Sequence, residues 1–244
     1  MILKRNKHLL SAGFVLSVAV ALQGCSGTSK SSITTVGPSD TTRSIAPYFK
    51  PAGKSTKMPD AEGFIQRWML LEPINKPNRG NTVFTDSYLR KAFDTLYFPN
   101  QFTILPKDGE QVKVGDQQLT WHALESTTFN AKLFRFAYEQ RKQYYGVLFW
   151  AVTVVNSPEE MKDVRMAVGS NSASMWWLNG KESVLLSGDR RMVMDDGVST
   201  RLTLNKGKNI IRGAVINGPG MSDFCVRFLD SRGAPIKNIS ITTE

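Results

Sequence analysis

Cysteine and histidine are scarce in this sequence, two of each among 244 residues: Cys25, Cys225, His8 and His122. Zinc sites need clustered Cys and His ligands, and neither such a cluster nor an H-E-x-x-H pair is present, so no metal and no cofactor is read. The strained G-x-S-x-G elbow of serine hydrolases is also missing. Its nearest look-alike, VGSNSAS (Val168 to Ser174), lacks the second glycine and lies among strand-like runs. A Gly-Asp-Ser block is absent too, since SGDRR (Ser187 to Arg191) has the wrong order. Several carboxylates exist, but nothing in their spacing selects a pair for glycoside hydrolysis. No catalytic residue is assigned, although a serine paired with His122 stays open. His122 follows Trp121 in a strand-like run, which favours a structural or surface role. Solenoid-type repeats are absent as well.

What is present begins with a secretory pattern. Lys4, Arg5 and Lys7 precede an apolar stretch from Ala12 to Leu22, too short to span a bilayer, and small residues follow. The stretch LQGC (Leu22 to Cys25) resembles a bacterial lipobox. That resemblance implies a signal peptide over 1–24, lipidation of Cys25, and a lipid-anchored protein of the bacterial cell envelope, at the outer membrane. Lipidation would leave Cys225 without a disulfide partner, and its setting in FCVRFL suits a small buried hydrophobe. Residues 25–58 are rich in Ser, Thr, Lys, Gly and Pro and read as a flexible tether, leaving 59–244 as the folded domain. The formal charge is +10, and three of the 31 basic residues but none of the 21 acidic ones precede Cys25. Such a surface suits solvent, anionic headgroups or an acidic polysaccharide; no nucleic-acid motif accompanies it, so nucleic acid is not expected as a partner.

The folded part reads as mainly β. FIQRWMLLEPI (Phe64 to Ile74) is strand-like up to Pro73, and two short strands flank Gly115-Asp116. YYGVLFWAVTVV is continuously apolar, as a strand buried on both faces would be. One short helix is expected at TDSYLRKAFD, where Thr85 and Asp86 are cap-type residues and Leu89 and Phe93 lie four apart. From DVRMAVGS onward, short strands alternate with Gly, Asn, Asp and Pro in the rhythm of an antiparallel sandwich. The fold class expected is an antiparallel two-sheet jelly-roll sandwich.

The stretch SASMWWLNGKESVLL predicts a hairpin turning at Asn179-Gly180, because both positions tolerate the positive φ of a type I′ turn. Its adjacent tryptophans must face opposite ways. Trp176 shares a face with Leu178 and is assigned to the core. Trp177 shares the other with Met175 and is either a second-layer core residue or an exposed platform. Trp68, Trp121 and Trp150 lie in apolar runs and are assigned to the core.

The stretch from VRMAVGSNSASMWWLNGKESV through RLTLNKGKNIIRGAVINGPGMSDFCVRFLD resembles the galactose-binding-like jelly-roll modules of bacterial polysaccharide-degrading enzymes. FIQRWMLLEPINKPNRGNTVFTDSYLRKAF is similar to a segment of acetylxylan and feruloyl esterases. The resemblance implies a non-catalytic protein that binds plant cell-wall polysaccharide or oligosaccharide within a xylan utilisation system. The alternatives are an acetylxylan esterase-type enzyme and a structural subunit docking an envelope enzyme or transporter through an apolar patch of Met175, Trp177 and Met192. The usual acidic loop before the hairpin is replaced by Ser170, Asn171, Ser172 and Ala173, so no calcium contact is carried over. Sugar rings stack on aromatic planes while Asn, Asp and Arg hold their hydroxyls. The ligand-binding residues expected are therefore Trp177, Asn171, Arg190, Arg191, Asp195, Asp196 and Asn217. The last begins a glycine-rich loop, NGPGMSD, of the kind that carries ligand contacts at strand ends.

Overall fold

The computed structural model describes residues 44–78 and 80–244. The expected signal peptide, the expected lipidation site Cys25 and the first part of the expected tether lie outside the described residues. The tether's expected end at residue 58 is corrected. Phe49–Pro51 form strand β1, whose Phe49 is buried, and Lys57 bridges Ile241, so the chain has joined the fold well before Pro59. Phe49 is an apolar anchor that a composition average over the segment conceals.

The elements follow as β2 (Arg67–Leu71), β3 (Ile74–Asn75), a 3₁₀ turn (Asn81–Val83), α1 (Asp86–Asp94), β4 (Gln111–Val114) and β5 (Gln117–Ser126). Then come α2 (Leu133–Glu139), β6 (Val147–Ser157), β7 (Met161–Ser170), β8 (Ala173–Leu178) and β9 (Lys181–Leu186). The last are β10 (Gly197–Val198), β11 (Leu202–Leu204), β12 (Gly207–Asn217), β13 (Phe224–Leu229) and β14 (Ser240–Thr242). They form the antiparallel two-sheet sandwich expected. The larger sheet runs β1-β5-β2-β6-β12-β8-β9, and the smaller one packs β13 and β10 or β11 on either side of β7.

Two features organise the packing. The larger sheet is buried on both faces, as the uninterrupted burial of β6 from Val147 to Val155 shows. One face meets the smaller sheet through Trp68, Trp176, Phe224 and Phe228. The other is covered by α1 and the coil after it, which supply Leu89, Phe93 and Phe98 to a second core with Trp121, Trp150 and Trp177. Helix α1 begins where expected, its Thr85 hydroxyl accepting from the Tyr88 N–H at 3.3 Å. Helix α2 escaped the sequence reading because it has no side-chain cap and spans only seven residues. It is held by burial of Leu133, Phe136 and Ala137, a spacing that puts all three on one face.

The hairpin turns at Asn179 (φ 51°) and Gly180 (φ 80°), both in the left-handed region a type I′ turn requires. Pairing of Trp176 with Val184 and of Trp177 with Glu182 leaves Ser183 as a bulge residue. The tandem tryptophans thus each enter a core, one on either side of the sheet.

Candidate functional site

Register places the site. Asn75 and Asn217 both pair with Val147, so β3, β6 and β12 present their loops at one end of the larger sheet. There a cleft of about 660 Å³ is lined by Asn75, Pro77, Asn78, Gln143, Tyr145 and Pro219 among others. No charged side chain lines it among the described residues. Tyr145 is 45% exposed and rests on Tyr144, their ring centroids 4.3 Å apart. A half-exposed aromatic plane beside the exposed amides of Asn75 and Gln143 gives both an apolar surface and groups that donate and accept hydrogen bonds.

Asn217 fastens this end together. Its side-chain nitrogen donates to the Tyr144 carbonyl at 2.8 Å and the Gly220 carbonyl at 3.1 Å, and its oxygen accepts from the Ser172 hydroxyl at 2.9 Å. With only 2% of its surface exposed, it holds the cleft's walls from beneath, where the sequence had suggested a direct ligand contact. Asn78 donates to the Asn217 carbonyl at 3.2 Å, and Asn81 donates to Asp189 at 2.8 Å and to the Pro219 carbonyl at 3.1 Å. Both amide oxygens, Asn78 Oδ1 and Asn81 Oδ1, are buried without a hydrogen-bond partner and converge on Gly218. Any side chain at 218 would place its Cβ 2.2 Å from Asn81 Oδ1 and 2.7 Å from Asn78 Oδ1, so glycine is required there by close approach.

Of the other residues expected to bind, Asn171 lies at this same end, donating to the Met221 carbonyl at 3.1 Å. Trp177 is not an exposed platform: it is 7% exposed and lies flat against Trp150, the centroids 5.7 Å apart and the planes 14° from parallel. The even-numbered and odd-numbered positions of β8 both face packed layers, which a lone hairpin pattern cannot reveal. The docking patch expected around Met175, Trp177 and Met192 fails for the same reason, Met175 being 2% exposed. Arg190, Arg191, Asp195 and Asp196 belong to a loop beside β10 and β7 and do not line the cleft. Arg190 pairs with Asp196 and Asp195 with Arg227, while Arg191 is exposed. Both pairs are partly buried, and the second holds the loop against β13. Tyr145, Gln143 and Asn78 were missed because nothing in their local sequence distinguishes a cleft wall from any other loop.

His122 does not line the cleft. His122 directs Nε2 toward Glu72 at 3.6 Å and sets its ring edge-on to Phe136, with Glu72 also held by Lys142 at 3.0 Å and by the Thr120 N–H at 3.1 Å. Burial pushes the Cys225 thiol up to about 12, so it stays protonated and unreactive. The Asp223 carboxyl is raised by burial, against the pull of Lys132 at 3.2 Å and Asn130 at 2.7 Å. Among the described residues no three His, Cys, Asp or Glu side chains gather as a metal site would need.

No family model and no curated protein matches the chain. Among solved structures it is similar to β-glucosidase from Kluyveromyces marxianus. The selenomethionine-labelled form is 18% identical over 52% of this chain, with a TM-score of 0.38. The glucose complex of that enzyme is 17% identical over the same share, with a TM-score of 0.34. This chain spans only 15% of the length of either. The PA14 domain of the MpAFP antifreeze protein is 11% identical over 80% of this chain and 97% of its own length, with a TM-score of 0.42. Similarities this distant carry no argument about what the chain binds.

Proposed function

We propose that this chain is a non-catalytic carbohydrate-binding protein whose site is the cleft at the loop end of the sandwich. The observation that carries the reading is the cleft's lining: an exposed tyrosine plane and the exposed amides of Asn75 and Gln143, with no carboxylate or imidazole among its described lining residues. Such a wall suits a ligand rich in hydroxyls with apolar ring faces. On the resemblance to modules of polysaccharide-degrading enzymes, the ligand class proposed is plant cell-wall glycan, xylan first. Lipid anchoring through Cys25 at the bacterial envelope completes the proposal and rests on the lipobox alone.

Affinity electrophoresis of the purified chain in gels containing xylan or other plant glycans, run beside an assay of acetate release from acetylated xylan, tests it. Retardation without acetate release is the expected result; acetate release abolished by His122→Ala would establish the esterase alternative instead. Loss of an aromatic face costs about 1 kcal/mol or somewhat more, so Tyr145→Ala is expected to weaken glycan binding roughly tenfold. Gly218→Ala is expected to do the same from beneath, by driving Asn78 and Asn81 out of place, while far-UV circular dichroism stays unchanged. Undiminished retardation of both variants would place the ligand elsewhere.

A further inference from the structure

Tyr145 has two sides. One faces the amide cleft. The other borders a second cavity of about 260 Å³, lined by Phe134, Arg135, Tyr138, Tyr144 and Met221. Tyr145 is thus the ridge shared by both cavities. Beyond it the rings continue in a row, Tyr145 against Tyr144 at 4.3 Å and Tyr144 edge-on to Tyr138 at 6.0 Å, leading toward α2. Met221, 58% exposed, forms the outer rim of this second trough, and its backbone carbonyl is held by Asn171. The loop that supplies Pro219 and Gly220 to the first cavity therefore supplies Met221 to the second, so one loop positions both.

We infer that the site binds a glycan along its length, with one sugar unit in the amide cleft and a following unit beyond Tyr145 in the tyrosine and methionine trough. This rests on the carbohydrate reading above and specifies the ligand class as an internal stretch of chain. The two cavities differ in chemistry, amide-lined and aromatic, and meet at a single exposed ring. A single terminal sugar would use one of them and leave the other's apolar surface in water. A chain crossing the ridge covers both, and its hydroxyls stay hydrogen-bonded on the cleft side while a ring face covers the trough.

Titration calorimetry of the purified chain with xylose and xylo-oligosaccharides of two to six units tests the inference. Affinity is expected to rise about tenfold or more from xylose to xylobiose and then to level off, the second ring filling the trough. Met221→Ala, a change on an exposed side chain, is expected to lower xylotetraose affinity several-fold and to leave xylose unaffected; Tyr145→Ala is expected to lower both. Equal affinity for xylose and xylohexaose overturns the extended site while leaving a carbohydrate-binding cleft in place. An absence of binding by every member of the series overturns the xylan reading and this inference together.

Discussion

Glu125→Gln is expected to destabilise the fold by about 3–5 kcal/mol, the range for breaking a buried ion pair by removing one partner. Glu125 and Arg67 are 5% and 3% exposed and form two hydrogen bonds, Arg67 Nε to Glu125 Oε1 at 3.1 Å and Nη2 to the same oxygen at 2.6 Å. Lys50 and Lys57 approach the other carboxylate oxygen at 3.4 and 3.5 Å, and the Gly53 N–H donates to Oε1 at 3.3 Å. Arg67 also donates to the Ser55 carbonyl and to the Ile241 carbonyl. One carboxylate thus ties β2 and β5 to the segment that leads into the fold and to the last strand. Glutamine would leave the guanidinium buried without its counter-charge. Replacing both partners by apolar residues, Arg67→Met with Glu125→Leu, is expected to recover most of the loss, because no charge then remains to be desolvated.

The same residue sets an acid limit. Burial by itself would raise the Glu125 carboxyl, but the hydrogen bonds from Arg67 and Gly53 and the charges of Arg67 and Lys57 outweigh it and lower it from 4.5 to about 2. A carboxyl lowered on folding stabilises the native state above its unfolded value and ceases to do so as pH falls. The loss, about 3 kcal/mol at roughly 1.4 kcal/mol per pH unit, should therefore occur between pH 4.5 and 2. Urea unfolding midpoints measured across that window check it. Glu125→Gln should flatten the dependence; an unchanged slope in the variant would assign it to other carboxylates.

The second large effect is expected at Trp176. Its indole is fully buried, donates from Nε1 to the Ser174 hydroxyl at 3.0 Å, and packs against Trp68 at 5.9 Å and Phe224 at 4.8 Å, joining the two sheets. Trp176→Ala should cost about 3–5 kcal/mol, from lost burial and the cavity left behind. The ring has room only because its cross-strand partner on β12 is Gly213. A Cβ there would lie 2.2 to 2.6 Å from three atoms of the six-membered ring. Gly213→Ala should therefore cost about 1–3 kcal/mol by overpacking, and nearly nothing on the Trp176→Ala background, where the space is already empty. Denaturant unfolding of the four proteins gives this cycle directly. Additive losses would mean that the glycine matters for its backbone and not for the ring above it.

How far the sequence could be read depended on whether a signal was local. The hairpin at Asn179-Gly180, the capped start of α1 and the doubly buried run of β6 are written in neighbouring residues, and each appears where expected. Helix α2 is not, since its seven residues owe their conformation to the core they cover. The candidate site was half legible. The loop Asn217 to Asp223 drew notice for its glycines and does form a wall of the cleft, yet the role of Asn217 proved to be that of a fastener and the exposed ring proved to be Tyr145.

By itself the sequence determined most of the strands after the tether, the hairpin turn and the opposed faces of Trp176 and Trp177, because alternation along a strand follows from backbone geometry alone. It also determined that no recognisable hydrolase or metal motif is present. Only the tertiary structure decided what lies beyond each face. A second layer, built by α1 and the coil up to Ile104 some seventy residues before Trp177, closes over that indole and removes it from solvent. The cleft was decided in the same way: loops near residues 78, 145 and 219 meet because β3, β6 and β12 are neighbours in register, a contact that sequence distance hides and hydrogen-bonded pairing creates.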